Sequence, residues 1–292
     1  EMIQTRRALH KRPELGWTEF ETMWHICSHL EQWGIPYVFG TKVINPAFVM
    51  GRNETEVKDA MERAKKHGVP EAFLEKTEGY TGAAAIIDTG RPGPVTAFRC
   101  DMDALPIRES DDCSHEPAKL GFASERAGIM HACGHDGHVA IGLALAEVVA
   151  SMRDQFKGKI RFIFQPAEEG VRGAMPMEKA GAVVGVDEIF GMHIGFQANN
   201  IGKVICGTKN FLATTKADIT FTGVPAHAGN APEEGKNALL SAATALLNMH
   251  AIPRSGKGDT RITVGKLNGG EGRNVIPPKA VLVLETRGIT SA

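Results

Sequence analysis

Between residues 83 and 194, short apolar segments alternate with segments of helical pattern, and this alternation constrains the fold more than any other feature. The apolar segments are rich in isoleucine, valine and phenylalanine, which suits strands buried on both faces of a sheet. We predict strands at AAAIID (83–88), VTAFRCD (95–101), IRFIFQ (160–165) and EIFGMHI (188–194), and helices at about 17–33, 54–67, 136–152 and 173–181. Strands that alternate with helices predict an α/β fold, a sandwich built around a largely parallel sheet.

The pattern changes after about residue 207, where we expect a second domain. Residues 216–223 alternate apolar and polar side chains like a half-buried strand, and residues 236–250 have the spacing of a helix. Two more strands are predicted at 261–267 and 280–287. This β-α-β-β order is typical of a small α+β domain, so we divide the chain into residues 1–207 and 208–292.

Composition and charge argue against several kinds of partner. The formal net charge is −1 over 292 residues, so no overall positive field attracts nucleic acid or an anionic membrane. The five cysteines are widely spaced and form no C-x-x-C pair, which favours a reducing compartment over a disulfide framework. The N-terminal residues lack the apolar core of a signal peptide, and the longest apolar stretch, at 139–150, is too short to span a bilayer. We therefore expect a cytoplasmic protein.

The segment MHACGHDGH, from Met130 to His138, holds the densest group of candidate metal ligands. Cys133 and His135 are two residues apart, and in an extended loop such residues point to the same side. A thiolate and an imidazole can then reach one metal ion, and such ligands rarely crowd so closely without one. The alternative is a polar loop with a buried cysteine. His131 and His138 stay open, either as ligands or as residues that orient their neighbours.

Two adjacent carboxylates, Glu168 and Glu169, follow the predicted strand at 160–165 in the segment FQPAEEG. In extended backbone they point opposite ways, so one can bind a metal while the other faces the substrate and a water molecule. A solvated acidic turn is the alternative. The position at the end of a buried strand favours the functional interpretation, because ligands collect at the carboxyl edge of an α/β sheet.

Two further strand ends carry polar side chains that could meet at the same edge. Asp101 and Asp103 share one side of the chain, and His193 lies near the end of the segment 188–194. An acidic residue here could bridge two metals or fix the tautomer of a histidine ligand. A strand-terminal turn and a core histidine are the alternatives. The motifs of serine hydrolases, P-loop enzymes, HExxH metalloproteases and nicotinamide-binding enzymes are absent from the sequence.

Five segments, taken in order, resemble one known family. They are RRxxHxxPExGxxE (6–19), FRCDMDALP (98–106), MHACGHDGH (130–138), IFQPAEEG (163–170) and NVIP (274–277). Together they resemble the M20 metallopeptidase family, in the branch of amidohydrolases that act on hippurate, N-acetyl amino acids and auxin conjugates. The resemblance extends over nearly the whole chain.

The resemblance implies a set of site residues. Cys133, His135, Glu169 and His193 would ligate two divalent metal ions, manganese or zinc, and Glu168 would be the general base and acid. We add Asp103 as a second catalytic residue. The resemblance further implies that residues 1–207 form a metal-binding catalytic domain and 208–292 a lid and dimerisation domain. In that second domain, His227, Asn274 and Arg287 would contribute to substrate and oxyanion binding.

The expected reaction is hydrolysis of the amide bond of a small N-acyl amino acid. Segments 79–95 and 209–216 are similar to the hydrolases that split the folate breakdown product p-aminobenzoyl-glutamate into p-aminobenzoate and glutamate, and we expect that substrate. An N-acetyl or hippurate-like substrate is one alternative, and a non-catalytic binding or assembly subunit is another. The resemblance also implies a homodimer or a heteromer with a related second subunit.

Two expectations concern the end of the chain. Family members continue beyond the position of Ala292, so both domains are expected to be incomplete here, and a later histidine is expected to supply the remaining metal ligand. Within the second domain, we expect neighbouring antiparallel strands joined at Pro277 and Pro278 to bring Arg287 close to Asn274. The arginine fork would then hold a substrate carboxylate.

Overall fold

The computed structural model describes residues 1–195, 198, 200–207 and 211–290. Its internal contacts divide the chain into two units, Glu1–Lys203 and Val204–Ala292. The domain boundary expected from the sequence, between residues 207 and 208, falls beside residues 208–210, which lie outside the described part. Lys209 and Asn210, the second and third of these, also belong to the segment 209–216. Among the described residues, no helix has the length and apolar character needed to cross a membrane.

The first unit contains a five-stranded sheet that confirms the α/β class. Its strands are β1 (Tyr37–Phe39), β2 (Ala83–Asp88), β3 (Val95–Asp101), β4 (Lys159–Gln165) and β5 (Glu188–Gly191), in the spatial order β1-β2-β4-β3-β5. Strands β4, β3 and β5 are mutually parallel.

The sheet is mixed rather than largely parallel, because β1 and β2 run antiparallel to their neighbours. Only residues 89–94 link β2 to β3. A parallel pair needs a crossover of about a dozen residues or more, so this short link forces the chain to reverse. The sequence pattern showed where these strands lie but not which way they run.

Seven helices accompany the sheet in the described part of the first unit. They are α1 (Met2–Lys11), α2 (Phe20–Gln32), α3 (Glu54–Lys66), α4 (Glu71–Thr77), α5 (Glu116–Lys119), α6 (His135–Ser151) and α7 (Ala174–Lys179). The four predicted helices correspond to α2, α3, α6 and α7. The bounds of α3 have a local cause: the side chain of Asn53 accepts the amide N–H groups of Thr55 and Glu56, and Gly68 adopts φ +93° just beyond the helix.

Successive residues of the sheet pack into two different cores. Phe162 and Phe164 are buried on the face covered by α2 and α6, whereas Ile163 between them is buried with Trp17 and Met177 on the other face. Burial on both faces explains why β2, β3 and β4 read as continuous apolar runs rather than as alternating patterns. It also leaves the carboxyl ends of the parallel strands as the edge where polar side chains gather.

The second unit is a three-stranded antiparallel sheet with one helix. Its elements are β6 (Ala213–Thr222), α8 (Ala238–Ala251), β7 (Thr260–Gly269) and β8 (Lys279–Gly288), and the strand order is β6-β8-β7. Ala238 and Ala242 of α8 are buried against Ala280 and Leu282 of β8. The observed β-α-β-β order is the one that the sequence pattern predicts.

We predict that Gly142→Ala destabilises the first unit although alanine is the better helix former. Gly142 lies inside α6, where a Cβ atom would come within 2.6 Å of Cys100 Sγ and 3.1 Å of Phe164 Cε1. Overpacking typically costs about 1–3 kcal/mol, and alanine gains about 1 kcal/mol in helix propensity. We therefore expect chemical denaturation to show a net loss of up to about 2 kcal/mol in the free energy of unfolding.

The control is the same substitution in a Cys100→Ala background, where the closer contact no longer exists. There Gly142→Ala should lose most of its cost. An equal cost in both backgrounds would contradict the packing explanation.

Candidate metal centre and catalytic site

His135 stands at the centre of the candidate site, as the first residue of α6 and with its side chain fully buried. Its Nε2 atom faces three carboxylates, at 3.8 Å from Asp101 Oδ2, 3.9 Å from Glu168 Oε2 and 4.0 Å from Glu169 Oε1. These distances are too long for hydrogen bonds. Two ligands that share one ion, each at about 2.0–2.3 Å, lie at most about 4.5 Å apart, so the spacing suits a shared ion.

Cys133 and His193 form a group of potential metal ligands with His135. Cys133 Sγ is 3.4 Å from His193 Nε2, and the ligand atoms of all three residues lie within 4.8 Å of one another. The sequence pattern predicts an extended loop that brings the Cys133 and His135 side chains to the same side. The structure has a turn instead, in which Gly134 adopts φ +83° and α6 begins directly afterwards. His193 follows two residues after β5.

Glu168 and Glu169 lie in a turn rather than in the extended backbone expected from the sequence. The turn begins at Ala167, whose φ of +47° is in the left-handed region that residues other than glycine rarely adopt. As a result, the two carboxylates do not point opposite ways. Both approach His135 and form with it a second group of potential ligands within 4.8 Å.

Asp103, which is predicted from the sequence to be catalytic, has both carboxylate oxygens bound to backbone amides. Its Oδ1 accepts the amide N–H of Glu168 at 3.0 Å and its Oδ2 accepts that of Glu169 at 2.9 Å. Oδ1 also lies 3.3 Å from Nδ1 of His135. With both oxygens engaged and complete burial, Asp103 anchors the turn and favours the His135 tautomer that leaves Nε2 free for a metal. It is a positioning residue.

Asp101 and His138, which the sequence left with more than one possible role, form a further group of potential ligands with His135. Asp101 Oδ2 is 3.4 Å from His138 Nδ1, and Arg99 forms an ion pair with the same carboxylate. His138 Nε2 accepts the amide N–H of Ile194 at 2.9 Å. His138 thus contacts the segment that carries His193, while its Nδ1 atom belongs to a group of potential ligands with Asp101 and His135.

His131, the other residue left open, is buried beside this cluster but belongs to none of the ligand groups found among the described residues. Burial lowers the pKa of His131 to about 4, so the ring is neutral near pH 7. Neither ring nitrogen has a hydrogen-bond partner within the described part of the chain. Its ring centroid lies 6.4 Å from that of His10. His131 therefore packs behind the candidate ligands rather than among them.

The pKa values of the site residues are shifted by burial and by the neighbouring acidic groups. Burial, followed by the charges of Asp101 and Glu169, raises the pKa of Glu168. Burial and the neighbouring Glu169 raise the pKa of Cys133 to about 12, so the thiol alone would stay protonated at neutral pH. For His135, burial lowers the pKa, but Asp103 and Asp101 outweigh it and raise the value overall.

The donor set fits a divalent metal. Buried Glu169 Oε1 and His135 Nε2 have no hydrogen-bond partner among the described residues, which is unusual for buried polar atoms. A metal ion would satisfy both atoms and hold the Cys133 thiol as a thiolate. Thiolate, imidazole and carboxylate together form a donor set suited to zinc or manganese.

Two of the three predicted substrate-binding residues are neighbours in the second unit. His227 pairs with Val275 in an isolated β-bridge, and the amide N–H of Ala228 is donated to the carbonyl of Asn274 at 3.0 Å. The Nδ1 atom of His227 accepts the amide N–H groups of Gly229 and Asn230, each at 3.1 Å. These bonds fix the His227 ring and join the loop at residues 227–230 to the loop at residues 274–275.

Arg287 does not join that pair, and the expected approach to Asn274 is wrong. Asn274 lies in the connection between β7 and β8, whereas Arg287 lies near the far end of β8, paired in register with Thr214 and Arg261. An extended strand rises about 3.3 Å per residue, so Arg287 is roughly 25 Å from the start of β8. Its Nε donates instead to Glu285 Oε1 at 2.7 Å.

Comparison with known proteins decides the family. The model described as Peptidase family M20/M25/M40 matches residues 97–269, which include the strands and loops that build the site. The chain belongs to peptidase family M20. The resemblance inferred from the five sequence segments is thereby confirmed.

Two curated relatives match essentially the whole chain. A homolog of one subunit of p-aminobenzoyl-glutamate hydrolase, from Haemophilus influenzae, is 47% identical over 293 residues, covering 100% of this chain and 69% of the relative. The indole-3-acetyl-aspartic acid hydrolase of Enterobacter agglomerans is 49% identical over 292 residues, covering 99% of this chain and 67% of the relative. This M20 chain thus spans about two thirds of the length of these relatives.

Solved structures agree with the fold. An aminobenzoyl-glutamate utilization protein from Klebsiella pneumoniae has a TM-score of 0.78 at 44% identity, with 99% of this chain and 67% of that one covered. A dinuclear metal-binding peptidase of the M20 family from Bacillus subtilis has a TM-score of 0.57 at 29% identity, with 99% and 64% covered. The second comparison supports a dinuclear metal-binding family and leaves the metal's identity open.

We predict that Asp103→Ala weakens both the fold and metal binding. The substitution leaves two buried amide N–H groups without acceptors, and one charged hydrogen bond of this kind is worth about 1.5–3 kcal/mol. Thermal unfolding and titration with Zn²⁺ or Mn²⁺ would measure the two effects. Asp103→Asn, which keeps one acceptor oxygen, should be affected less. Wild-type metal affinity in a folded Asp103→Ala protein would contradict the anchoring role.

Proposed function

We propose that the full-length protein is a metal-dependent amidohydrolase that cleaves p-aminobenzoyl-glutamate into p-aminobenzoate and glutamate. The observation that carries this proposal is that two groups of potential ligands share His135: Cys133 and His193 belong to one, and Glu168 and Glu169 belong to the other. The relatives described above have names that refer to an aromatic acyl group joined to glutamate or aspartate. We infer the same substrate class here.

We propose that Cys133, His135, Glu169 and His193 hold two divalent metal ions, either zinc or manganese. Such ions, when bound, supply Lewis-acid chemistry: they make a bound water more acidic and polarise the substrate carbonyl. The burial of His135 and its contact with Asp103 keep the imidazole in one orientation. His138, through Ile194, does the same for the segment of His193.

Glu168 is our candidate for the general base and acid. Its pKa is raised by burial and by Asp101 and Glu169, which brings it closer to the neutral range where proton transfer is efficient. Its side chain is partly exposed, with 34% of its surface accessible, so a water or a substrate can reach it. Glu168 would take the proton of the attacking water and pass it to the leaving amine.

For substrate binding, we propose His227 and Asn274 of the second unit. The support is their adjacency and the fixed His227 ring. Both residues match positions to which the family pattern assigns substrate and oxyanion contacts. Arg287 matches such a position too, and we keep it as a carboxylate-binding candidate that acts separately from Asn274.

The assembly and location of the protein form part of the same proposal. The name of the Haemophilus influenzae relative describes a single component of a hydrolase with more than one kind of chain. We propose that this chain also assembles, either with a related partner chain or as a homodimer through residues 208–292. All five cysteines are free thiols, which suits the reducing cytoplasm.

Hydrolysis of an indole-3-acetyl conjugate of aspartate is the second candidate, favoured by the 49% identity to the hydrolase of that name. Parallel assays with p-aminobenzoyl-glutamate, indole-3-acetyl-aspartate, hippurate and an N-acetyl amino acid separate the candidates by kcat/KM. Failure on all four, in metal-loaded full-length protein, would favour a non-catalytic subunit.

We predict that Glu168→Gln retains metal but loses about 10²–10⁴-fold in kcat for p-aminobenzoate release, because an amide has the same shape but cannot accept the proton. Elemental analysis of the purified variant checks the metal content. The matched control is Glu178→Gln on α7, an exposed glutamate away from the site, which should behave like wild type. A Glu168→Gln enzyme with near-normal kcat would eliminate Glu168 as the base.

A further inference from the structure

Glu19 is a completely buried carboxyl group to which neither the ligand set nor the proton transfer gives a role. It lies directly before α2 and is the last residue of the first sequence segment that marks the family. Its Oε1 accepts the amide N–H of Ala167 at 2.8 Å. Its Oε2 accepts the hydroxyl of Thr81 at 2.6 Å. The side chain therefore links the start of α2 to the residue that precedes the catalytic glutamates.

The contact with Ala167 falls at the most unusual point of the backbone. Ala167 has φ +47°, although it carries a Cβ atom that disfavours this conformation. Such strain persists only where surrounding contacts impose it. The hydrogen bond from Ala167 to Glu19 is a contact of this kind, because it fixes the direction of the Ala167 N–H group.

Three consecutive amides converge on two buried carboxylates. The N–H of Ala167 reaches Glu19, and the next two, of Glu168 and Glu169, reach Asp103. Successive N–H groups that point into one concavity form an anion-holding turn. Here the anions belong to the protein, and the turn directs the Glu168 and Glu169 side chains toward His135.

Stability alone does not account for a carboxyl group at this position. Burial and the nearby Asp103 raise the pKa of Glu19 to about 8, which means that its charged form is disfavoured there. A buried carboxyl beside another acidic group costs free energy that an apolar side chain would not. The geometry of the turn supplies the missing reason.

We propose that Glu19 is a positioning residue for catalysis: it imposes the left-handed conformation of Ala167 and thereby aims the Glu168 carboxylate. This inference rests on the proposed function, because Glu19 affects catalysis only if Glu168 is the general base. Among the described residues, the Glu19 side chain hydrogen-bonds to Ala167 and Thr81 and to none of the candidate metal ligands.

The test uses metal-loaded full-length protein with three substitutions of Glu19. Glu19→Ala removes the acceptor, Glu19→Asp withdraws it by one methylene group, and Glu19→Gln keeps an oxygen for Ala167 and an amide for Thr81. We expect kcat for p-aminobenzoate release to fall about 10–100-fold in the alanine and aspartate variants with little change in KM, because small misplacement of a catalytic group is costly. Glu19→Gln should stay within about threefold of wild type, because it keeps the hydrogen bond.

Glu14→Ala provides the matched control. Glu14 is also completely buried and also accepts backbone amides, but those of Glu21 and Thr22 in α2 rather than those of the catalytic turn. This control should lower the melting temperature without lowering kcat per metal-loaded site. If Glu19→Ala does not fold, the milder Glu19→Asp carries the comparison.

An activity-independent readout separates this inference from the proposed function. Hydrogen–deuterium exchange of a peptide spanning residues 164–171 should be faster in Glu19→Asp than in wild type, and unchanged in Glu14→Ala. Wild-type kcat in folded Glu19→Ala or Glu19→Asp overturns the positioning role, as does unchanged exchange. A wild-type protein that releases no p-aminobenzoate overturns the proposed function instead, while faster exchange would still support the role of Glu19 in the turn.

Discussion

The carboxylate of Asp103, bound to the amides of Glu168 and Glu169, is the interaction on which the site depends. It joins the end of β3 to the end of β4, two parallel strands whose register places Asp101 opposite Gln165. Because parallel strands end at the same edge, residues far apart in sequence meet there. Together with the bond from Ala167 to Glu19, the Asp103 interaction sets the direction of the turn after β4, from which both glutamates approach His135.

The site concentrates negative charge to a degree that a protein alone does not stabilise. Four carboxylates and a thiol surround His135, and Arg99 is the positive partner that the structure gives to Asp101. Such a cluster is self-repelling when ionised and becomes favourable around a divalent cation. We therefore expect a bound ion to stabilise the 167–170 turn, which orients two of the candidate ligands.

The sequence predicted most of the elements and the residue types of the site, but not helices α1, α4 and α5, strand β1 or the geometry of the site. Strands β2, β3 and β4 were predictable because their side chains pack on both faces of the sheet. Cys133, His135, Glu169 and His193 were candidates because of their ligand chemistry, their placement near strand or helix ends and the resemblance to the M20 family. Strand direction in β2 depends on a six-residue link, 89–94, that carries no periodic signal. The approach of both Glu168 and Glu169 to His135 depends on the left-handed conformation of Ala167, for which the sequence contains no signal. Glu19 and Asp103 bind the amides of residues 167–169 from distant positions in the sequence. Such tertiary contacts leave no pattern in the local sequence.

Anomalous diffraction from crystals of the full-length protein grown with Mn²⁺ or Zn²⁺ tests the metal centre most directly. We expect peaks within about 2.0–2.3 Å of Cys133 Sγ, His135 Nε2 and His193. A Glu169 oxygen should complete the set, and Glu168 should remain unbound to metal and face the open side of the site. Peaks at other residues, or a saturated protein with no peak at this cluster, would contradict the two-metal site.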